Sequence, residues 1–205
     1  MKKILYGTGN PAKLDAMQQN LKGLGIEIIG LHDMEGEIPE APEDGTTPIE
    51  NARQKAWVYF NHYKVPVFSC DSGLYIEGLP DALQPGVHVR TINGKYLTDE
   101  EMLAYYSGLA RQYGDLTAQY KNSICLIVDA KHVYESEDER LNGSRFLITQ
   151  QPHHIRRKGF PLDSLSKQIG SGRYFYDISE NEADELVVYN AIAVLFRKWG
   201  IIENV

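Results

Sequence analysis

Residues 3–31, "KILYGTGNPAKLDAMQQNLKGLGIEIIGL", decide the fold. The short apolar run at 3–7 reads as a buried strand. Leu14, Met17, Leu21 and Leu24 then recur at helical spacing after Pro11, until Gly25 stops the pattern, and "IEIIGL" at 26–31 reads as a second strand. Strand, helix, strand is the opening of an α/β fold.

The same alternation continues outward. A loop rich in Pro, Glu and Gly spans 35–46, followed by a strongly marked helix: Thr47 as N-cap, Pro48 in the first turn, and Glu50 three residues after the cap. Ile49, Ala52, Ala56, Phe60 and Tyr63 form its expected apolar face. Residues 65–79 read as a strand, a glycine turn at "DSG" and a second strand. A helix follows at 98–112, opened by Thr98 with Asp99, Glu100 and Glu101 in its first turn. Residues 118–130 and 131–150 read as a set of strands, with "SEDERLNGS" the exposed turn between two of them. The basic patch "HHIRRKG" precedes a loop, "FPLDSL", and a C-terminal helix is expected from about Ser179 to Trp199. No internal repeat is visible, and 205 residues suit a single domain, 1–205.

Composition narrows the function classes. At 42% hydrophobic and 24% charged residues the chain has an ordinary globular balance, and no apolar run approaches a membrane span, so a soluble protein is expected. The opening "MKKILYGTGN" has too short an apolar run for a signal peptide. Two cysteines, Cys70 and Cys125, make no disulfide framework, and a reducing, cytoplasmic location is expected. A net charge of −7 argues against a nucleic-acid surface built on phosphate neutralisation. It leaves room for one small anionic ligand held by a few placed lysines and a divalent metal.

Three segments carry the chemistry. In "TGNPAK", Asn10 is placed to cap the helix and Lys13 falls in its first turn, where the helix dipole disfavours a cation unless an anion compensates. Free N–H groups at that helix start, with Lys13, suit a phosphate; taken alone, the segment is better explained by a solvated lysine. In "APEDGTTPIENARQK", Asn51 and Lys55 share a helix face and Glu43 lies before the helix start; an exposed acidic loop beside a solvated face is the plainer alternative. In "FSCDSGL", Asp71 follows an apolar strand, at the carboxyl end where α/β sheets present side chains to ligands; it suits Mg²⁺, or the capping of a turn. Together, two lysines and two carboxylates beside helix starts and strand ends suit metal-assisted attack on a polyphosphate.

In order and spacing, "TGNPAK", "EDGTTPIENARQKA" and "DSGLYIEGLPDALQPGV" resemble the signatures of the inosine triphosphate pyrophosphatase family, whose members cleave non-canonical purine nucleoside triphosphates. The resemblance covers residues 1–90 well and thins afterwards. It implies an elongated α/β fold with a long mixed sheet, flanking helices, and two lobes around a central nucleotide cleft. It implies that Thr8, Asn10 and Lys13 grip the triphosphate and that Glu43 and Asp71 hold Mg²⁺, with Asp71 also taking the proton of the attacking water. Lys55 would neutralise phosphate charge and Ser72 would contact substrate. "GFPLD" resembles the family's Gly-Phe-x-x-Asp segment, so Phe160 would stack on the base and Asp163 would help fix it. The implied reaction is in-line attack of a metal-activated water at the α-phosphate, giving nucleoside monophosphate and pyrophosphate, and the implied assembly is a homodimer.

Two departures accompany the resemblance. Cys70 stands where family members usually have the first of two adjacent aspartates. Near the C-terminus, Ala183 aligns with the family's base-reading lysine, and Val187, Val188 and Tyr189 with its Ser-His-Arg, so the polar readers of the purine six-position oxygen are gone. Arg173, or the cluster Arg156, Arg157 and Lys158, could substitute, or could simply be exposed basic residues. The implied enzyme therefore has altered base preference, the alternatives being a nucleotide-binding or sensing protein without useful turnover and, on 13 tyrosines, an interaction protein.

Overall fold

A computed structural model describes residues 2–178 and 185–203, with the side chains of 185–188 left aside. The elements run β1 (Lys2–Tyr6), α1 (Pro11–Asn20), β2 (Ile26–Ile29), α2 (Pro48–Tyr63), β3 (Val67–Ile76), β4 (Thr91–Ile92), β5 (Lys95–Tyr96), α3 (Asp99–Tyr113), β6 (Leu116–Asp129), β7 (His132–Ser136), β8 (Phe146–Ile148), β9 (Ser166–Gln168) and α4 (Glu185–Lys198). A seven-stranded sheet has the order β2-β1-β3-β6-β8-β9, with β7 paired to β6. It is mixed: β1 is parallel to β2 and β3, while β7 and β8 run antiparallel to β6. This is the expected α/β architecture of a long mixed sheet with flanking helices.

The chain divides into two compact units, the first formed by Met1–Ser72, Lys121–Asn142 and Glu185–Val205. Its strands are covered on both faces, and the period-2 alternation of side chains sorts each strand between two cores. Ile4, Tyr6, Phe68, Ile124 and Leu126 join Met17 and Leu21 of the α1 region and Ile192, Leu195 and Phe196 of α4. Their odd-numbered neighbours Leu5, Val67, Cys125 and Ile127 join Ala52, Ala56 and Tyr59 of α2. The Phe68 ring stacks on Tyr6 at 4.5 Å and meets Phe196 edge-on at 5.4 Å, which locks α4 to the sheet.

The second unit comprises Gly73–Tyr120 and Gly143–Asp184. Its core joins Leu74 and Ile76 of β3, Met102, Tyr106 and Leu109 of α3, and Phe146 and Ile148 of β8. The α3 start is closed by a capping box: Glu101 N donates to Thr98 Oγ1 at 3.3 Å and Thr98 N to Glu101 Oε2 at 2.9 Å.

Several boundaries differ from the sequence-based expectation. α1 stops at Asn20 rather than near Gly25, because Gly23 adopts φ +84°, outside helical space. β3 is one continuous strand instead of strand, turn and strand. Gly73 answers to a close approach: a Cβ there would lie 3.2 Å from the Gly86 backbone, which the neighbouring Leu74 bonds. Strands β7 and β8 both pair with β6 and not with each other, and the segment between them is not wholly exposed, since its Leu141 is buried. α4 begins at Glu185 among the described residues; the expected start at Ser179 lies outside them.

Candidate active site

The loop after β1 is shaped by its own side chains. Gly7 donates its amide to Phe68 O at 2.8 Å, and a Cβ on Gly7 would fall 2.3 Å from Ser69 Oγ, so only glycine fits. Asn10 is the predicted N-cap of α1: its Oδ1 accepts from the amides of Ala12 at 2.9 Å and Lys13 at 3.4 Å. Thr8 Oγ1 accepts from Asn10 N at 3.2 Å. This corrects the expectation of free helix-start amides, because the cap consumes those of Ala12 and Lys13 and Pro11 has none. What the side chains of the loop can offer an anion is the Thr8 hydroxyl proton, the Asn10 Nδ2 hydrogens and the Lys13 ammonium. Among the described residues Lys13 has no carboxylate partner within salt-bridge distance.

Helix α2 supplies the second group. Thr47 Oγ1 caps Glu50 N at 3.4 Å, and Glu50 Oε2 accepts from Thr46 N at 2.7 Å and Thr47 N at 3.3 Å. These bonds, the Thr46 amide first, hold the Glu50 carboxyl below its ordinary range. The predicted apolar face is partly right: Ala52 and Ala56 are buried, Phe60 and Tyr63 only half-buried, and the inward face also carries Asn51 and Lys55.

That inward polar pair meets Asp71. Lys55 Nζ lies 2.7 Å from Asp71 Oδ1 and 3.0 Å from Glu43 Oε1. Asn51 donates Nδ2 to Asp71 Oδ2 at 3.1 Å while its Oδ1 accepts Gly45 N at 2.8 Å. Burial disfavours the Lys55 charge, but Asp71 and then Glu43 outweigh it and push the ammonium above its usual range. Both oxygens of Asp71 are thus engaged by donors, and Glu43 and Asp71 converge on one cation. Asn51, given no role on sequence grounds, orients the carboxylate; the signal for it was its i,i+4 spacing to Lys55.

Asp71 sits inside β3, not at its end. This corrects the expectation of a carboxylate at the end of its own strand; β1 pairs with β3 only as far as Tyr6 and Phe68, so Asp71 lies beyond the end of β1.

Side chains flanking Asp71 point the other way, as alternation requires. Cys70 packs against the core shared by α1 and α4. Burial pushes its thiol up to about 12, opposed by Lys13 and Lys55, so it is protonated at neutral pH. Ser72 Oγ lies 2.6 Å from Asn122 Oδ1, and Asn122 Nδ2 donates to Leu141 O at 2.6 Å. The Leu141 carbonyl fixes the Asn122 amide, so the Ser72 proton is committed to Asn122 and its oxygen can only accept.

In the second unit, Phe160 is 38% exposed. The Arg157 guanidinium carbon lies 4.5 Å from its ring centroid. Asp163 is half-buried, and its charge adds to the burial that raises the phenols of Tyr120 and Tyr176. Of the proposed substitute donors, Arg173 Nη1 reaches Asp177 O at 3.3 Å, and Arg156 Nη1 bonds the carbonyls of His153 and Ile155. Ala183 and the side chains of Val187 and Val188 lie outside the description, and Tyr189 packs half-buried against the first unit's core.

Among the described residues no group of three or more His, Cys, Asp or Glu forms a metal cage, and no helix is long and apolar enough to cross a membrane. Glu43 and Asp71, which meet on the Lys55 ammonium, are a donor pair of the kind Mg²⁺ uses when phosphates and water complete its shell.

The Ham1 family model matches residues 4–183. A dITP/XTP pyrophosphatase of Geobacter sulfurreducens is 32% identical over 181 residues, covering 86% of this chain and 78% of the relative. One of Porphyromonas gingivalis is 33% identical over 141 residues, covering 68% and 71%. The structure of a HAM1 protein from Coxiella burnetii superposes with a TM-score of 0.78 at 22% identity, covering 97% of this chain and 100% of that one. With its family signature spanning most of the chain and its fold shared, this protein belongs to the Ham1 family.

Proposed function

We propose that the protein hydrolyses nucleoside triphosphates, non-canonical purine nucleotides and their deoxy forms among them, to nucleoside monophosphate and pyrophosphate in a Mg²⁺-dependent reaction. The observation that carries this reading is the Lys55–Asp71–Asn51 cluster with Glu43 on the same ammonium. The names of the relatives supply the reaction class.

Each residue has a part that its geometry allows. Asp71, oriented by Lys55 and Asn51, takes the proton of the attacking water. Lys55 and Lys13 bring positive charge to the triphosphate, and the Thr8 hydroxyl and Asn10 amide donate to its oxygens. Glu43 and Asp71 would hold Mg²⁺, which when bound polarises phosphate oxygens and acidifies water. Displacement of the Lys55 ammonium from between the two carboxylates would deliver that cation to the phosphates. Phe160 offers a stacking face to the base, with Asp163 fixing its edge. A homodimer is proposed on resemblance, and a cytoplasmic location on two cysteines that make no disulfide framework; sedimentation velocity tests the dimer.

The test is pyrophosphate release with Mg²⁺ across canonical and non-canonical nucleoside triphosphates, run beside Asp71→Asn. Release that needs Mg²⁺ and vanishes in the variant is expected. No release from any nucleotide by the folded protein, together with tight nucleotide binding, would replace this reading with that of a binding or sensing protein.

A further inference from the structure

The Phe160 platform stands on a turn whose support comes from far along the chain. Phe160 N donates to Arg157 O at 3.0 Å, closing a turn through Gly159, which adopts φ +84°. Gly159 N donates to Asp99 Oδ2 at 2.8 Å, and Arg90 Nη2 reaches Gly159 O at 3.4 Å, a longer bond. The two gripping residues are themselves paired, Arg90 Nη1 to Asp99 Oδ1 at 2.7 Å. One ion pair thus holds both polar backbone groups of the residue before Phe160.

The pair is anchored in its turn. Arg90 also donates to Leu97 O at 3.2 Å, and the residue before it is fixed by Tyr106 O–H to Val89 O at 2.8 Å. Asp99 is the first residue of α3, but the helix start is already satisfied by the box between Thr98 and Glu101. Asp99 is therefore released from capping, and both its oxygens serve the loop and the arginine. The Gly159 amide, then Arg90, holds its carboxyl below the ordinary range, which is the mark of a carboxylate that works ionised.

We propose that the Arg90–Asp99 pair is the positioning device of the nucleobase platform, setting the Gly159 turn so that Phe160 presents its ring to the base. The inference rests on the reading of Phe160 as the stacking residue. Neither Arg90 nor Asp99 touches substrate; both act through Phe160. Their loss therefore weakens recognition of the nucleoside and spares recognition of the polyphosphate.

The experiment measures, by titration calorimetry with Mg²⁺, affinity for the α,β-methylene analogue of inosine triphosphate, whose α–β bridge the enzyme cannot cleave, and for inorganic tripolyphosphate. The proteins are wild type, Asp99→Ala, Arg90→Met, Phe160→Ala and the Arg90→Met/Phe160→Ala double variant. Either clamp variant is expected to bind the nucleotide about tenfold more weakly and tripolyphosphate within about twofold of wild type. Adding Arg90→Met to Phe160→Ala is expected to cost nothing more, because both act through one ring. Arg90→Met leaves the α3 start intact and decides the matter if Asp99→Ala does not fold. Unchanged nucleotide affinity in a folded clamp variant, with Phe160→Ala weakened, overturns the inference alone. A parallel loss for both ligands also overturns it, since that marks a merely structural pair. No effect of Phe160→Ala overturns the stacking assignment and the inference with it.

Discussion

Lys55 Nζ stands 2.7 Å from Asp71 Oδ1, and the same nitrogen lies 3.0 Å from Glu43 Oε1. One buried ammonium therefore holds together the two carboxylates assigned to the metal. The arrangement is economical in charge: the Lys55 ammonium lies between the two carboxylates and relieves their mutual repulsion.

Replacing Lys55 by Met should therefore do more than remove a phosphate contact. Asp71 and Glu43 lose their common cation, and the phosphates lose a positive charge. The expected result is a fall in kcat of about 10²-fold or more at saturating Mg²⁺ and nucleotide, read as pyrophosphate release. A loss smaller than about threefold would show that Lys55 is structural only.

Asn51 ties the acidic loop to the same carboxylate, and its two amide ends are not interchangeable. Asn51→Leu leaves Gly45 N without its acceptor and Asp71 Oδ2 without a donor. A stability loss of about 1–3 kcal/mol is expected by chemical denaturation, together with reduced turnover. Asn51→Asp keeps the Gly45 contact but sets a second carboxylate against Asp71. Its stability loss should be smaller at low pH, where one carboxylate of the pair is protonated, and larger near neutrality. Equal losses at both pH values would rule out the like-charge account.

Some of this geometry could be read in the sequence and some could not, for physical reasons. Caps are local, so Asn10, Thr47 and Thr98 were legible, as was the shared helix face of Asn51 and Lys55. "DSG" was misread because Asp, Ser and Gly are turn residues by local chemistry, whereas the approach of Gly86 that makes Gly73 a strand residue is set by tertiary packing. The role of Asp99 was invisible for the same reason: its first-turn place on α3 was sufficient explanation, and its contact with Gly159 spans 60 residues. The alternation that turns Cys70 away from Asp71 is simple to state, but applying it required knowing that β3 does not break.

Acid should reveal the Lys95–Glu101 ion pair at the α3 start. Lys95, then the Thr98 amide, lowers the Glu101 carboxyl from an ordinary 4.5 to about 2. A depressed folded value means that the contribution is present above the unfolded value and is lost as pH falls through the folded one. Glu101→Gln should therefore reduce the decline of thermal stability between about pH 4.5 and 2, with wild type and variant converging at the acid end. Parallel curves over that window would show that Glu101 makes no pH-dependent contribution.

Ser72 offers the sharpest test of hydrogen-bond direction. Its proton is committed to Asn122 at 2.6 Å, and the Leu141 carbonyl prevents the Asn122 amide from turning round. An oxygen that can only accept does not serve a phosphate, which also only accepts; it serves a water or a ribose hydroxyl. Ser72→Ala should therefore bind inorganic tripolyphosphate with Mg²⁺ within about twofold of wild type, while kcat/KM for a nucleoside triphosphate falls about tenfold. A tenfold loss of tripolyphosphate affinity would mean that the hydroxyl leaves Asn122 and turns to the phosphate. In that case Asn122→Leu, which removes the competing acceptor, should strengthen tripolyphosphate binding; if it does not, the Ser72 contact is structural.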